Sequence, residues 1–378
     1  MKAFRWFPIV AVVAIIGLAD RTASAQDTSQ VGATAANTTA APAAPATAAV
    51  PPAQGAQSCA TCATCGANCG TAGNTGCDIP AWSAFGEFLL LRPRSEGIEY
   101  GVPINGPTAV NQVPVQIGAT AVVDQQFQPG FRVGAERILD RCSSISVSYA
   151  YYRNETDNGP VTAPAPFVLQ SMVFNPSTAD AAAYFNRASA SETTNFNLVD
   201  LDYHHNLWSC DSSSVNYLIG ARYAQLGQQF HAEFDSTYTA VANANVEFDG
   251  IGLRVGLDGE RSICNGFFVT ARANANLLGG EFGAGYAQRN TNELTVCTTS
   301  WQDARFVTIL ESEVAIGWQS ADGRIRASIG YLINDWFNVV KPSDYISSVQ
   351  ANKYNGSNQV GNTALVFDGM TAHVEFAW

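Results

Sequence analysis

The sequence predicts an all-β fold: a transmembrane antiparallel β-barrel of about ten strands, preceded by a disordered N-terminal segment. Three observations carry this reading: short stretches of alternating apolar and polar residues, connections of strongly unequal length, and a final strand that ends on Trp378. Composition agrees. Charged residues make up only 14% of the chain, where about 25% is usual in soluble domains, while aromatics reach 11% and mean hydropathy is zero. Residues that alternate between lipid and water give such averages.

The N-terminus reads as a secretory signal over residues 1–25. Lys2 and Arg5 supply a basic start, Phe7 to Ala19 an apolar core, and Ala23-Ser24-Ala25 a small-residue cleavage site. That core is short and holds Pro8, so it falls below the roughly 20 apolar residues that span a bilayer. No other uninterrupted apolar run approaches that length, which excludes a helical membrane protein. The formal charge of -12 grows on processing, because the signal removes Lys2, Arg5 and Arg21 but only Asp20, leaving 17 basic against 31 acidic residues. Nucleic acid does not suit such a chain as a partner.

Residues 26–80 carry only Asp27 and Asp78 as charges and consist mostly of Ala, Thr, Pro, Gly and Cys. With so little bulky apolar surface, nothing offsets the entropy of ordering them, and a flexible periplasmic tether is expected. The barrel is expected over residues 81–378.

In chain order the strands begin with weaker patterns at 82–92 and 131–137. The clearest follows, with Ile145, Val147, Tyr149 and Tyr151 alternating with small polar residues. Over 197–207, Val199, Leu201, Tyr203 and Leu207 oppose Asp200, Asp202, His204 and Asn206. Segments 215–223, 251–257, 267–277, 305–318 and 324–333 repeat the alternation, and 365–378 closes the set. The count is ten, within a range of eight to twelve, because Glu281 to Arg289 offers a further strand. Tight connections at 139–143, 209–214, 258–265 and 319–323 alternate with long ones at 93–126, 154–194, 229–245, 279–303 and 334–363. Short turns on one rim and long loops on the other are how outer-membrane barrels are built, with the turns in the periplasm. Met370, Ala372, Val374, Phe376 and Trp378 occupy alternate positions to the last residue, a pattern similar to the C-terminal signal by which such barrels engage their assembly machinery.

Cys59, Cys62, Cys65 and Cys69 have the spacing of an iron-sulfur run, followed by Cys77. Export into an oxidising compartment, and Gly70 where such a run continues into Pro, argue for disulfides or cross-linking instead of a metal or cluster. Cys142, Cys210 and Cys264 fall in three tight turns, on the side expected for the tether, and the tether cysteines are their expected partners. Cys297 sits in a long loop on the opposite face and is left over, as a free or intermolecular surface thiol.

Residues 82–94 (WSAFGEFLLLRPR), 130–134 (GFRVG) and 198–226 (LVDLDYHHNLWSCDSSSVNYLIGARYAQL) resemble strands of the Legionella-type pore-forming outer-membrane protein family. The likeness covers 82–378 and implies a barrel in the bacterial outer membrane acting as a general pore. The cysteine-bearing tether departs from that family, which leaves an attachment role open, to envelope polymer or neighbouring proteins.

The face assignment turns Glu87, Glu136, Asp200, Asp202, Glu311, Glu313 and Glu375 into the lumen. It places Arg132, Arg222, Arg254, Arg272, Arg324 and Arg326 there too. Charges of both signs inside hydrocarbon must be hydrated or paired. In a wide barrel they line a passage for small solutes; in a narrow one they pair across the lumen and plug it. The two functions expected are therefore a porin-like pore and a structural anchor barrel. Nothing marks an enzyme or a cofactor: the four histidines, His204, His205, His231 and His373, match no hydrolase or zinc motif. His204, beside Asp200 and Asp202, faces away from the lipid on which an outer-membrane lipase acts. Gly279 to Gly285 lacks the basic residue and following helix of a phosphate cradle.

Overall fold

A computed structural model describes residues 81–94, 97–106, 113–140, 142–210, 212–291, 295–352 and 360–378. The expected signal peptide, the tether and Cys59, Cys62, Cys65, Cys69 and Cys77 lie outside the described residues. The chain runs β1 (Trp82–Arg94), β2 (Ile98–Ile104), β3 (Ala121–Val123), β4 (Gln128–Ile138), β5 (Ser143–Thr162) and β6 (Val168–Ser171). A 3-10 turn at Ala179–Ala182 precedes β7 (Arg187–Cys210), β8 (Ser213–Asp235), β9 (Thr239–Ser262) and β10 (Phe267–Asn290). Then come β11 (Cys297–Gln319), β12 (Ile325–Val339), α1 (Pro342–Asn352) and β13 (Thr363–Ala377).

Ten of these strands close into one antiparallel barrel, in the order β1-β13-β12-β11-β10-β9-β8-β7-β5-β4. Closure leaves the barrel itself no edge strand, so its strands pair with one another all round without water. The last strand completes the ring, with Phe376 opposite Ala84 on β1 and Ile325 on β12. Both ends of the barrel meet at one rim, where the amide of Ala81 donates to the Trp378 carbonyl. The four tight turns lie at this turn end. The one between β9 and β10 has positive φ at both Asn265 and Gly266, the conformation that lets an Asn-Gly pair reverse a twisted hairpin in two residues. Among the described residues no helix is long and apolar enough to cross a membrane.

The strand count resolves at ten, and Glu281 to Arg289 is the far half of β10 and no separate strand. Two of the five long connections need correction. Residues 229–245 form the tops of β8 and β9 around a tight turn at 236–238, and most of 279–303 belongs to β10 and β11. Crossing a bilayer takes about 9–11 residues of tilted strand; β7, β9 and β10 have 24 each.

The reason these extensions read as loops is that the apolar side of the strand changes. On β9, Ile251, Leu253, Val255 and Leu257 point outward and are exposed, and Arg254 points inward. Beyond them the pattern reverses: Ala240, Ala242, Ala244, Val246 and Phe248 are buried inside, and Glu247 and Asp249 face out. β8 reverses likewise, with Ile219 and Tyr223 outside and Phe230, Ala232 and Phe234 inside. The turn-end half is thus apolar outside and polar inside, whereas the loop-end half is a conventional greasy-cored barrel. The expectation that hydrophilic faces enclose the whole central space holds only for the first half.

The loop-end interior is filled. A second, three-stranded sheet, in the order β3-β2-β6, packs Tyr100 against Phe234 of the wall, where Phe174, Phe185 and Phe234 meet at steep angles with ring centroids 4.9 to 5.9 Å apart. The small residues Ala240, Ala242 and Ala244 on β9 leave room for inserted segments, and α1 lies against β8, β9 and β10 with Tyr345, Ile346 and Val349 buried. Inward polar groups on the wall hold the filling: Gln228 Nε2 donates to the Val340 carbonyl at 3.0 Å, and the Tyr286 hydroxyl to the Val173 carbonyl at 2.9 Å.

Candidate functional site

Where the apolar interior meets the polar one, aromatic residues from opposite walls meet in a layer. Phe196 on β7 lies 5.0 Å from Phe367 on β13 and 5.3 Å from Tyr152 on β5, centroid to centroid, with Trp336 of β12 completing the group. The Tyr152 hydroxyl donates to the Leu91 carbonyl at 2.8 Å, which satisfies its one polar atom inside the layer.

Directly on the polar side lies an ion cluster. Arg222 of β8 is fully buried and grips Asp200 of β7 with two bonds, of 2.6 and 2.7 Å. Its remaining nitrogen donates across the lumen to Glu311 on β11 at 3.1 Å. Glu311 also accepts from Arg132 of β4 at 3.2 Å, and Arg132 reaches Glu87 on β1 at 3.5 Å. Arg254 of β9 adds contacts of 3.1 Å to Asp202 and 3.3 Å to Asp200. A forked guanidinium satisfies two carboxylates at once, which is why arginine and no lysine builds this layer. Gly220 makes room for it, because a Cβ there would stand 2.2 Å from Asp202 Oδ1.

Below the cluster a cavity of about 570 Å³ extends toward the turn end. Glu87, Arg132, Glu136, Asp200, Asp202, Arg254, Arg272, Glu311, Arg326 and Glu375 line it. Of the other sequence-predicted lumen residues, Arg222 is sealed within the cluster, and Glu313 is buried against Thr371, whose hydroxyl donates to it at 2.7 Å. Arg324 does not face the lumen: it is exposed in the turn before β12, so the strand begins one residue later than its alternation suggests. Sequence reasoning missed Ser146, Asp258, Glu260 and His373 as lining residues. Parity would have found them, because each lies an even number of residues from an assigned inward position or its cross-strand partner.

Cys142 lines the mouth of the cavity, and Cys210, at the end of β7, and Cys264, in the turn after β9, lie on the same rim. Cys297 corrects the surface-thiol expectation: it packs against the buried core at the loop end, with Asn175 Nδ2 3.5 Å from its sulfur.

An exposed apolar band around a closed barrel with an ion-paired interior defines the class of protein: an outer-membrane β-barrel. The family model described as Legionella pneumophila major outer membrane protein precursor matches residues 74–377, and the chain belongs to that family. Among solved structures, the outer membrane protease OmpT from Escherichia coli is similar at 9% identity, with a TM-score of 0.46, covering 79% of this chain and 96% of that one. The TodX monoaromatic hydrocarbon channel, as a deletion mutant, aligns at 7% identity and TM-score 0.28, covering 79% and 92%. A Pseudomonas aeruginosa FadL homologue aligns at 8% identity and TM-score 0.21, covering 79% and 90%. No curated protein matches the chain.

Proposed function

We propose that the chain is a sealed outer-membrane barrel, an integral structural protein of the envelope, and does not stand open to solutes. The observation that carries this is the stack of two closures across one lumen: Arg222, Arg132 and Arg254 converge on Glu311 from three strands, and the aromatic layer lies immediately beyond. A solute would have to part several buried ion pairs and then a packed apolar core. The turn rim, where both ends of the barrel lie, faces the periplasm in this reading, as short turns do in such barrels. The cysteines expected in the tether then share that side with Cys142, Cys210 and Cys264, and cross-links through Cys210 or the tether would fix the barrel to its neighbours or to envelope polymer. Phe376 and Trp378 are exposed on the outer face, which supports their reading as the contact with the assembly machinery.

The second reading is a pore-forming protein for small solutes, as the family resemblance implies. The specific observation in its favour is the charged cavity, which already hollows the turn-end half of the barrel. Conductance in planar bilayers separates the two. The purified protein is expected to leave the bilayer silent; stepwise channels from the unaltered chain would overturn the sealed reading and establish the pore.

A further inference from the structure

The ion cluster does not use every reactive group in the cavity. Ser146 on β5 lies with its Oγ 3.0 Å from His204 Nε2 on β7, and His204 Nδ1 lies 3.6 Å from Asp258 Oδ2 on β9. All three line the cavity, and the His204 and Asp258 side chains keep 23% and 22% exposure toward it. Asp258 Oδ1 accepts no hydrogen bond. The order of atoms is that of a nucleophile, a base and the carboxylate that orients the base, an arrangement recognised by geometry on unrelated folds. We propose that Ser146, His204 and Asp258 form a hydrolytic triad that cleaves small carboxylic esters admitted to the cavity from the turn end.

Ser146 Oγ attacks the ester carbonyl carbon while its proton passes to His204 Nε2. The tetrahedral adduct collapses, the bond to the alcohol oxygen breaks, and that oxygen takes the proton from Nε2. Water then adds to the acyl-Ser146 carbonyl, giving its proton to Nε2; the acyl bond to Oγ breaks, the carboxylic acid leaves and Oγ recovers the proton. Asp258 holds Nδ1–H toward itself and offsets the imidazolium charge in both halves. Arg254 and Arg272 line the same cavity and, while paired to Asp202 and Glu313, contribute positive charge that offsets the developing oxyanion. A volume of about 570 Å³ lies within the range of small-molecule pockets, about 300–1,000 Å³. Carboxylates outnumber guanidinium groups on the walls, so neutral or cationic esters suit it better than anionic ones.

The test uses the folded barrel in detergent, a fluorophosphonate reagent with mass mapping of the adduct, and hydrolysis of p-nitrophenyl acetate. One adduct on Ser146 is expected in the wild type, and none in Ser146→Ala or His204→Ala. Hydrolysis is expected to fall at least about 100-fold in both, the lower range for loss of positioned acid–base catalysis. Asp258→Asn is expected to lower kcat with KM unchanged, which a merely structural carboxylate would not do. An unmodified Ser146 in the wild type overturns the proposal whether or not any variant folds, and so does hydrolysis that survives Ser146→Ala.

Discussion

Buried charge in this protein is tolerated in two different ways. In the ion cluster every guanidinium faces at least two carboxylates, so none is left alone in the lumen. Glu192, on β7 beyond the apolar band, has no such company. It is buried, its Oε2 accepts no hydrogen bond, and burial pushes its carboxyl up to about 7, against smaller opposing effects of Gln125 and the Lys341 charge. The unfolded chain releases that proton near 4.5, so between 4.5 and about 7 the folded state binds more protons and stability falls as pH rises. The full penalty, roughly 3 kcal/mol, is present above the folded pKa. Glu192→Gln should abolish this slope and gain stability at pH 8 while changing little at pH 4. Denaturant unfolding of lipid-reconstituted protein across that range checks it; an unchanged slope would show that Glu192 is not the group responsible.

At the scale of elements, α1 and the inserted sheet work as a core for strands that rise out of the lipid. Tall strands with apolar inner faces need something to bury those faces, and Tyr345, Ile346 and Val349 supply part of it. Replacing residues 341–352 by a short Gly-Ser linker should therefore lower amide protection at least about tenfold over 240–248, where local opening becomes easier. The lipid-embedded stretch 251–257 of the same strand should keep its protection. Hydrogen exchange reads both in one experiment, and equal losses in the two stretches would mean that the barrel is a single cooperative unit without a separate upper layer.

For the whole molecule, the change of face fixes how far the barrel sits in the membrane. Leu253 is 69% exposed on the outer face at the middle of the apolar band. Asn245 lies on the outer face of the same strand but beyond the reversal. Leu253→Arg should cost about 2–4 kcal/mol, as a charge does near the bilayer midplane. Asn245→Arg should stay within about 0.5 kcal/mol, as at a wetted surface position. Refolding equilibria in vesicles measure both, and similar costs at the two sites would contradict the band boundary.

The alternation of β5, the ten strands, the tight turns and most of the lumen residues were legible in the sequence, because period-two patterning is local and a strand's neighbours need not be known to see it. Asp200, Asp202 and Arg222 could be turned inward from their own strands alone. Whether they would line a passage or close it could not be read there: the contacts of Arg222 and Arg132 with Glu311 join residues 89 and 179 positions apart, and depend on the lumen being narrow enough to span. The upper strands were misread for the same reason. Ala240, Ala242 and Ala244 look like a weak loop until α1 is seen to need the space they leave. Local sequence determined which residues share a face. Only the closed tertiary structure decided what each face meets, because hydrocarbon, water and a packed core are chosen by the ring as a whole.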